Sequence, residues 1–113
     1  MKTTIIIPTL ETERLTLRAA NVDDYDRFVS YFAHESSWFT GGPCEAIEAY
    51  RRLMWVAGSW VLKDVGIFVV ADRKTNVCLG TCGAYTPPDW PENEIGWWLH
   101  PDARGRGLAT EAA

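Results

Sequence analysis

Polar and apolar residues alternate through Glu13-Arg14-Leu15-Thr16-Leu17-Arg18, which puts Leu15 and Leu17 on one face of an extended segment and Thr16 and Arg18 on the other. A first strand is expected there. The period then lengthens: Val22, Tyr25, Phe28, Val29 and Phe32 recur at helical spacing, after Asn21 as N-cap with Asp24 three residues on as a capping-box variant. That helix should end near His34. Between Ser36 and Gly42 the pattern is lost and Gly41-Gly42 signals a loop, although Trp38 and Phe39 are large for one, suited to roofing a pocket or packing on the core. A second helical stripe follows in Ala46, Ile47, Tyr50, Leu53, Met54 and Ala57, with Pro43 at the first helical position, Glu45 and Glu48 at the positive end of the dipole, and Gly58 as the stop.

Strand composition returns in Ile67 to Ala71 and in Val77 to Tyr85, and the turn residues Asp72 to Asn76 between them predict an antiparallel hairpin. Pro87, Pro88 and Pro91 hold the next segment to a loop, after which Glu94-Ile95-Gly96-Trp97-Trp98-Leu99 reads as a further strand ended by His100-Pro101-Asp102-Ala103. Ala109 to Ala113 is the first turn of another helix. The expected fold is α/β, with a mixed, mostly antiparallel sheet ordered strand, helix, helix, three strands, helix start.

Composition narrows the classes. With 113 residues, 47% hydrophobic and 23% charged, the chain fits one small globular domain. A net charge of −4 argues against a general nucleic-acid grip, which needs a basic patch or stripe. Cys44, Cys78 and Cys82 are odd in number and lack Cys-x-x-Cys spacing, and His34 and His100 are far apart, so neither a disulfide framework nor a metal site is expected. Cys78 and Cys82, placed to share a strand face, read as small buried hydrophobes. Ile5-Ile6-Ile7 is too short for a membrane span or a signal-peptide core, which leaves the cytoplasm as the default compartment.

Chemistry concentrates in Arg104-Gly105-Arg106-Gly107-Leu108-Ala109. A strand, a turn with two glycines and a helix start converge unpaired backbone N–H groups on one point, where the helix dipole favours an anion. A nucleoside-triphosphatase loop needs Gly-x-x-x-x-Gly-Lys-Ser/Thr, and no Lys follows Lys74; a dinucleotide fingerprint needs a third glycine where Thr110 stands. Alone, Gly105-x-Gly107 also fits a plain tight turn.

The longer stretch from Glu94 to Ala112 resembles the GNAT N-acetyltransferase superfamily's Arg/Gln-x-x-Gly-x-Gly/Ala segment with its preceding strand. Thr12 to Arg18 is similar to the first strand of the branch that acetylates ribosomal-protein N-termini, aminoglycosides and polyamines. The resemblance implies acetyl transfer from acetyl-CoA to an amine by direct attack in a ternary complex, without a metal, a nucleic acid or a membrane partner. It implies that the backbone of Trp97-Trp98-Leu99 pairs with the pantetheine arm and that the N–H groups of Arg104 through Thr110 (Arg104, Gly105, Arg106, Gly107, Leu108, Ala109, Thr110) hold the pyrophosphate. The Arg104 and Arg106 side chains would add charge-assisted contacts, or else form a solvated basic loop. A backbone N–H near Leu99 is the implied oxyanion contact. Glu94 is the implied general base, acting through water on an amine that must lose a proton before attack, with an ordinary strand-entry charge as its alternative. Asp89 and Glu92 are suited to a cationic substrate or to plain solvation.

The resemblance stops at the start of the helix that follows the loop, short of the helix that carries the family's general-acid tyrosine, so residues 1–113 are expected to be one incomplete, fragmentary domain. By itself such a piece is expected to be inactive, to expose two tryptophans on an unpaired strand, and to form oligomers or aggregates. The alternative function is a noncatalytic piece that binds coenzyme or a partner.

Overall fold

The computed structural model describes residues 6–35, 37, 42–62, 66–85 and 94–112, without the side chains of residues 62, 84, 85, 94, 95, 109 and 110. Trp38, Phe39, Gly41, Pro87, Pro88, Asp89, Pro91 and Glu92 lie outside the described residues. Five strands, β1 (Leu10–Glu11), β2 (Leu15–Arg18), β3 (Ile67–Asp72), β4 (Cys78–Tyr85) and β5 (Glu94–Leu99), form one sheet in sequence order. Every neighbouring pair is antiparallel. Helices α1 (Tyr25–Ala33) and α2 (Ala46–Leu62) connect β2 to β3, and α3 (Leu108–Ala112) follows β5.

The sheet buries both faces. On one, Phe28, Tyr31 and Phe32 of α1 and Ala49, Leu53 and Val56 of α2 pack against Ile67, Val69, Cys78 and Trp98. On the other, Leu15, Leu17, Val70, Leu79 and Cys82 meet Ala103 and Leu108. The alternation of β2 is therefore real, but the face holding Thr16 and Arg18 turns towards the helices. Arg18 gives Asp24 two bonds of 2.9 and 2.8 Å and donates to Asn76 Oδ1 at 2.8 Å. Asp24 also accepts from Asn21 N, and Asn21 Oδ1 accepts from Asp23 N, completing the expected capping box on a single 3-10 turn that leads into α1.

The expected mixed α/β order holds, with local corrections. Pro43 does not open α2, which begins at Ala46 after Glu45 accepts the amides of Glu48 and Ala49. Gly58 does not stop it: a mid-helix glycine costs only about 1 kcal/mol against alanine, and Ser59 and Trp60 beyond it anchor the helix on β3 through Ser59 Oγ to Ile67 N and Trp60 Nε1 to Ile67 O. The stripe buried on α2 is Ala49, Leu53 and Val56, whereas Ile47, Tyr50 and Met54 are exposed. Cys78 and Cys82 face opposite sides, because the β3–β4 register shifts at Val70/Ala71 and reverses the parity. Both thiols are inert hydrophobes, that of Cys78 pushed up to about 12 by burial.

Candidate functional site

β5 is held by its own side chains before any loop contributes. The Trp98 ring stacks on Tyr31 at 4.0 Å and meets Phe28 edge-on at 5.2 Å, so a buried aromatic cluster fixes the strand to α1. Trp97 points to the opposite face and remains 52% exposed. The expectation of two exposed tryptophans is thus corrected: alternation along the strand buries one of them.

The ladder decides which backbone groups of β5 stay available. His100 N donates to Leu79 O at 2.7 Å, and Leu99 stands opposite Gly80, so Leu99 is in a non-hydrogen-bonded pair. Its N–H and C=O point away from β4, and those of Trp97, two residues back, do the same. Trp98 faces β4, and its carbonyl lies where a Cβ on Gly80 would come within 1.9 Å. Trp98 therefore turns its ring to α1 and its backbone to β4. Glu94 opens β5, and its side chain lies outside the described residues' side chains.

After β5 the chain makes a 3-10 turn, Pro101–Ala103, and then the loop 104–107. Gly105 and Gly107 have φ of +75° and +72°, left-handed values that explain glycine at both. The first α3 bond runs from Glu111 N to Gly107 O, so the amides of Leu108, Ala109 and Thr110, in the first turn, have no acceptor within the helix. Leu108 is buried, so it offers backbone only. The Arg104 amide donates to Pro101 O at 3.3 Å, while its side-chain Nε reaches back to Leu99 O at 3.2 Å. Arg106 is exposed, and its carbonyl accepts from Arg14 Nη1 at 2.8 Å.

Two polar braces that the sequence did not reveal hold this loop. Arg27 on α1 donates two 2.8 Å bonds to Asp102 and one of 2.6 Å to Cys78 O, and Ser30 Oγ lies 2.9 Å from His100 Nε2. The Arg27 guanidinium holds the Asp102 carboxyl below the usual carboxylate range. Burial, with Arg27 nearby, pushes His100 down, so its imidazole is neutral at pH 7. On the other side, Glu111 accepts from the Thr12 hydroxyl, from Arg14 N at 2.9 Å and from Arg14 Nε at 2.7 Å. These contacts, with the Thr12 hydroxyl bond leading, hold the Glu111 carboxyl at about 2. Partners 51 to 99 residues apart leave no periodic signal in the chain.

The acetyltransferase (GNAT) domain model matches residues 14–113. The chain belongs to the GNAT acetyltransferase family. An acetyltransferase from Agrobacterium tumefaciens str. C58 superposes over 100% of the chain with a TM-score of 0.86 and 33% identity; the chain spans 66% of that protein, just under two thirds. A GNAT-family acetyltransferase from Bacillus anthracis matches over 93% of the chain and 61% of its own, at 20% identity and a TM-score of 0.74. A ribosomal-protein-S5-alanine acetyltransferase from Vibrio fischeri matches over 94% and 63%, at 17% identity and a TM-score of 0.57. The last two show the shared fold alone. No curated protein matches the chain. Among the described residues no three His, Cys, Asp or Glu side chains cluster as metal ligands, and no helix is long and apolar enough to cross a membrane.

Proposed function

We propose that this chain supplies the coenzyme-binding part of an acetyltransferase that moves the acetyl group of acetyl-CoA to an amine, with residues 1–113 as one incomplete domain. The observation that carries the reading is the continuity of the outward-facing backbone of Trp97 and Leu99 with a loop whose two left-handed glycines lead into the first-turn amides of α3. An extended pantetheine arm suits the first, and a pyrophosphate suits the second. Gly105, Arg106, Gly107, Leu108, Ala109 and Thr110 would contribute N–H groups, and Arg104 and Arg106 positive charge. Gly107 is open on that side: a Cβ there would have as its nearest neighbour only Arg14 Nη2, at 3.7 Å.

In the transfer, the amine nitrogen attacks the thioester carbon, the carbonyl oxygen takes negative charge, and as the amide forms the C–S bond breaks, the departing coenzyme sulfur gaining one proton for the one the amine loses. The Leu99 N–H is the donor assigned to that oxygen, and Glu94 takes the amine proton through water. Protein N-termini, polyamines and aminoglycosides are the acceptor classes, in a cytoplasmic setting. Gly107→Asp tests the reading, because it sets a side chain and a negative charge where the pyrophosphate belongs. Calorimetry on the whole enzyme should show acetyl-CoA affinity lost in a folded variant; unchanged affinity removes the loop from the coenzyme site.

A further inference from the structure

Arg14, in the β1–β2 turn, sets one guanidinium on two elements at once. Its Nε donates to Glu111 Oε1 of α3 at 2.7 Å, and its Nη1 donates at 2.8 Å to the carbonyl of Arg106, the residue between the two left-handed glycines. Glu111 is itself held by Arg14 N at 2.9 Å and by the Thr12 hydroxyl, so the guanidinium grips the loop from a fixed support. A planar fork bonded at both ends cannot swing without breaking one of its bonds.

A grip on a carbonyl decides where the next amide points. The Arg106–Gly107 peptide is trans, and in a trans peptide the C=O and the N–H lie in one plane and point in opposite directions. With Arg106 O turned to Arg14, the Gly107 N–H is turned away from it, and among the described residues it donates to no acceptor. Local sequence does not impose this orientation. The φ of +72° at Gly107 is that of the second central residue of a type II turn; rotating the preceding peptide by about half a turn leads to the type I value of about −90°, which glycine takes as readily. Without Arg14 the peptide is free to turn over, and the face opposite Arg14 then carries a carbonyl oxygen, which repels an anion.

We propose that Arg14 is a positioning residue for the coenzyme: it holds the Arg106–Gly107 peptide so that the Gly107 N–H, and not the Arg106 carbonyl, faces the pyrophosphate. The inference rests on the reading of this loop as the pyrophosphate site, and it adds a residue 92 positions upstream of the carbonyl it holds.

Arg14→Met removes the grip, whereas Arg14→Lys keeps the charge on a single ammonium that cannot serve Glu111 and Arg106 O with the same fork. In the whole enzyme, kcat/KM for acetyl-CoA should fall about tenfold in Arg14→Met, the effect of roughly one hydrogen bond to a charged group, and Arg14→Lys should recover only part of the loss. With S-acetylpantetheine as the donor, which has no pyrophosphate, both variants should keep the wild-type kcat/KM. If Arg14→Met does not fold, the same comparison of donors is read from Arg14→Lys. Equal losses with the two donors would assign Arg14 to plain support of the fold and overturn the proposal; full recovery in Arg14→Lys would do the same by making its charge sufficient. Gly107→Asp, measured alongside, separates the two levels. Lost acetyl-CoA affinity there with wild-type behaviour in Arg14→Met overturns the positioning role alone, whereas wild-type affinity in both overturns the pyrophosphate site and the positioning role with it.

Discussion

A methyl group on Gly80 has nowhere to go, since its nearest neighbours are the carbonyl of Trp98 and the Cα of Leu99, backbone atoms that cannot turn aside. Gly80→Ala should cost about 1–3 kcal/mol in denaturant unfolding. It should also weaken acetyl-CoA binding in the whole enzyme, because the strand it displaces is β5. Wild-type stability and affinity together would show that β4 and β5 can part there freely. Arg18 poses the electrostatic counterpart. Asp24 is 3% exposed, so Arg18→Ala leaves a carboxylate out of water without its cation, at a cost of about 3–5 kcal/mol. Adding Asp24→Asn should recover part of that loss; if the double variant is no more stable than Arg18→Ala, the buried charge is not the cause. From sequence, Arg18 read as the polar side of a strand with one buried face. Nothing local distinguishes an arginine facing solvent from one facing a helix cap.

At the scale of elements, α3 is tied to the β1–β2 turn by Glu111. Because that carboxyl sits at about 2 when folded against an ordinary 4.5, its contribution is fully present above pH 4.5 and is lost as the pH falls towards 2. Acid unfolding of Glu111→Gln should therefore be less steep between those values. An unchanged acid limb would mean that α3 is held by Leu108 packing alone. Strand β2, the capping box before α1 and the β3–β4 hairpin were legible because each is specified by neighbours within a few residues. The orientation of α2 was not: it carries apolar residues on two faces, and only the position of the sheet selects Ala49, Leu53 and Val56 over Ile47, Tyr50 and Met54. The two-residue β1 is shorter than any period can register. The loop glycines were legible, since positive φ demands glycine; the braces from Arg27 and Arg14 were not, since they join segments far apart in sequence.

For the molecule as a whole, the two-sided core places α1 and α2 behind the sheet and the loop with α3 in front. Coenzyme turnover is expected to need more than the five residues of α3, because isolated helices shorter than about 12–15 residues are marginal in water. Residues 1–113 expressed alone should release no thiol from acetyl-CoA above background with polyamine, aminoglycoside or peptide acceptors; measurable turnover would make this part of the family fold sufficient. The alternating ladder of β5 also sets a clock on its amide protons. Trp98 and His100 are locked into β4, while Trp97 and Leu99 face outwards. In deuterated buffer the strand should therefore exchange in a slow-fast-slow rhythm from Trp98 to His100. A pantetheine arm lying along the edge should slow Trp97 and Leu99 alone, turning four successive amides into a footprint of the coenzyme at single-residue resolution.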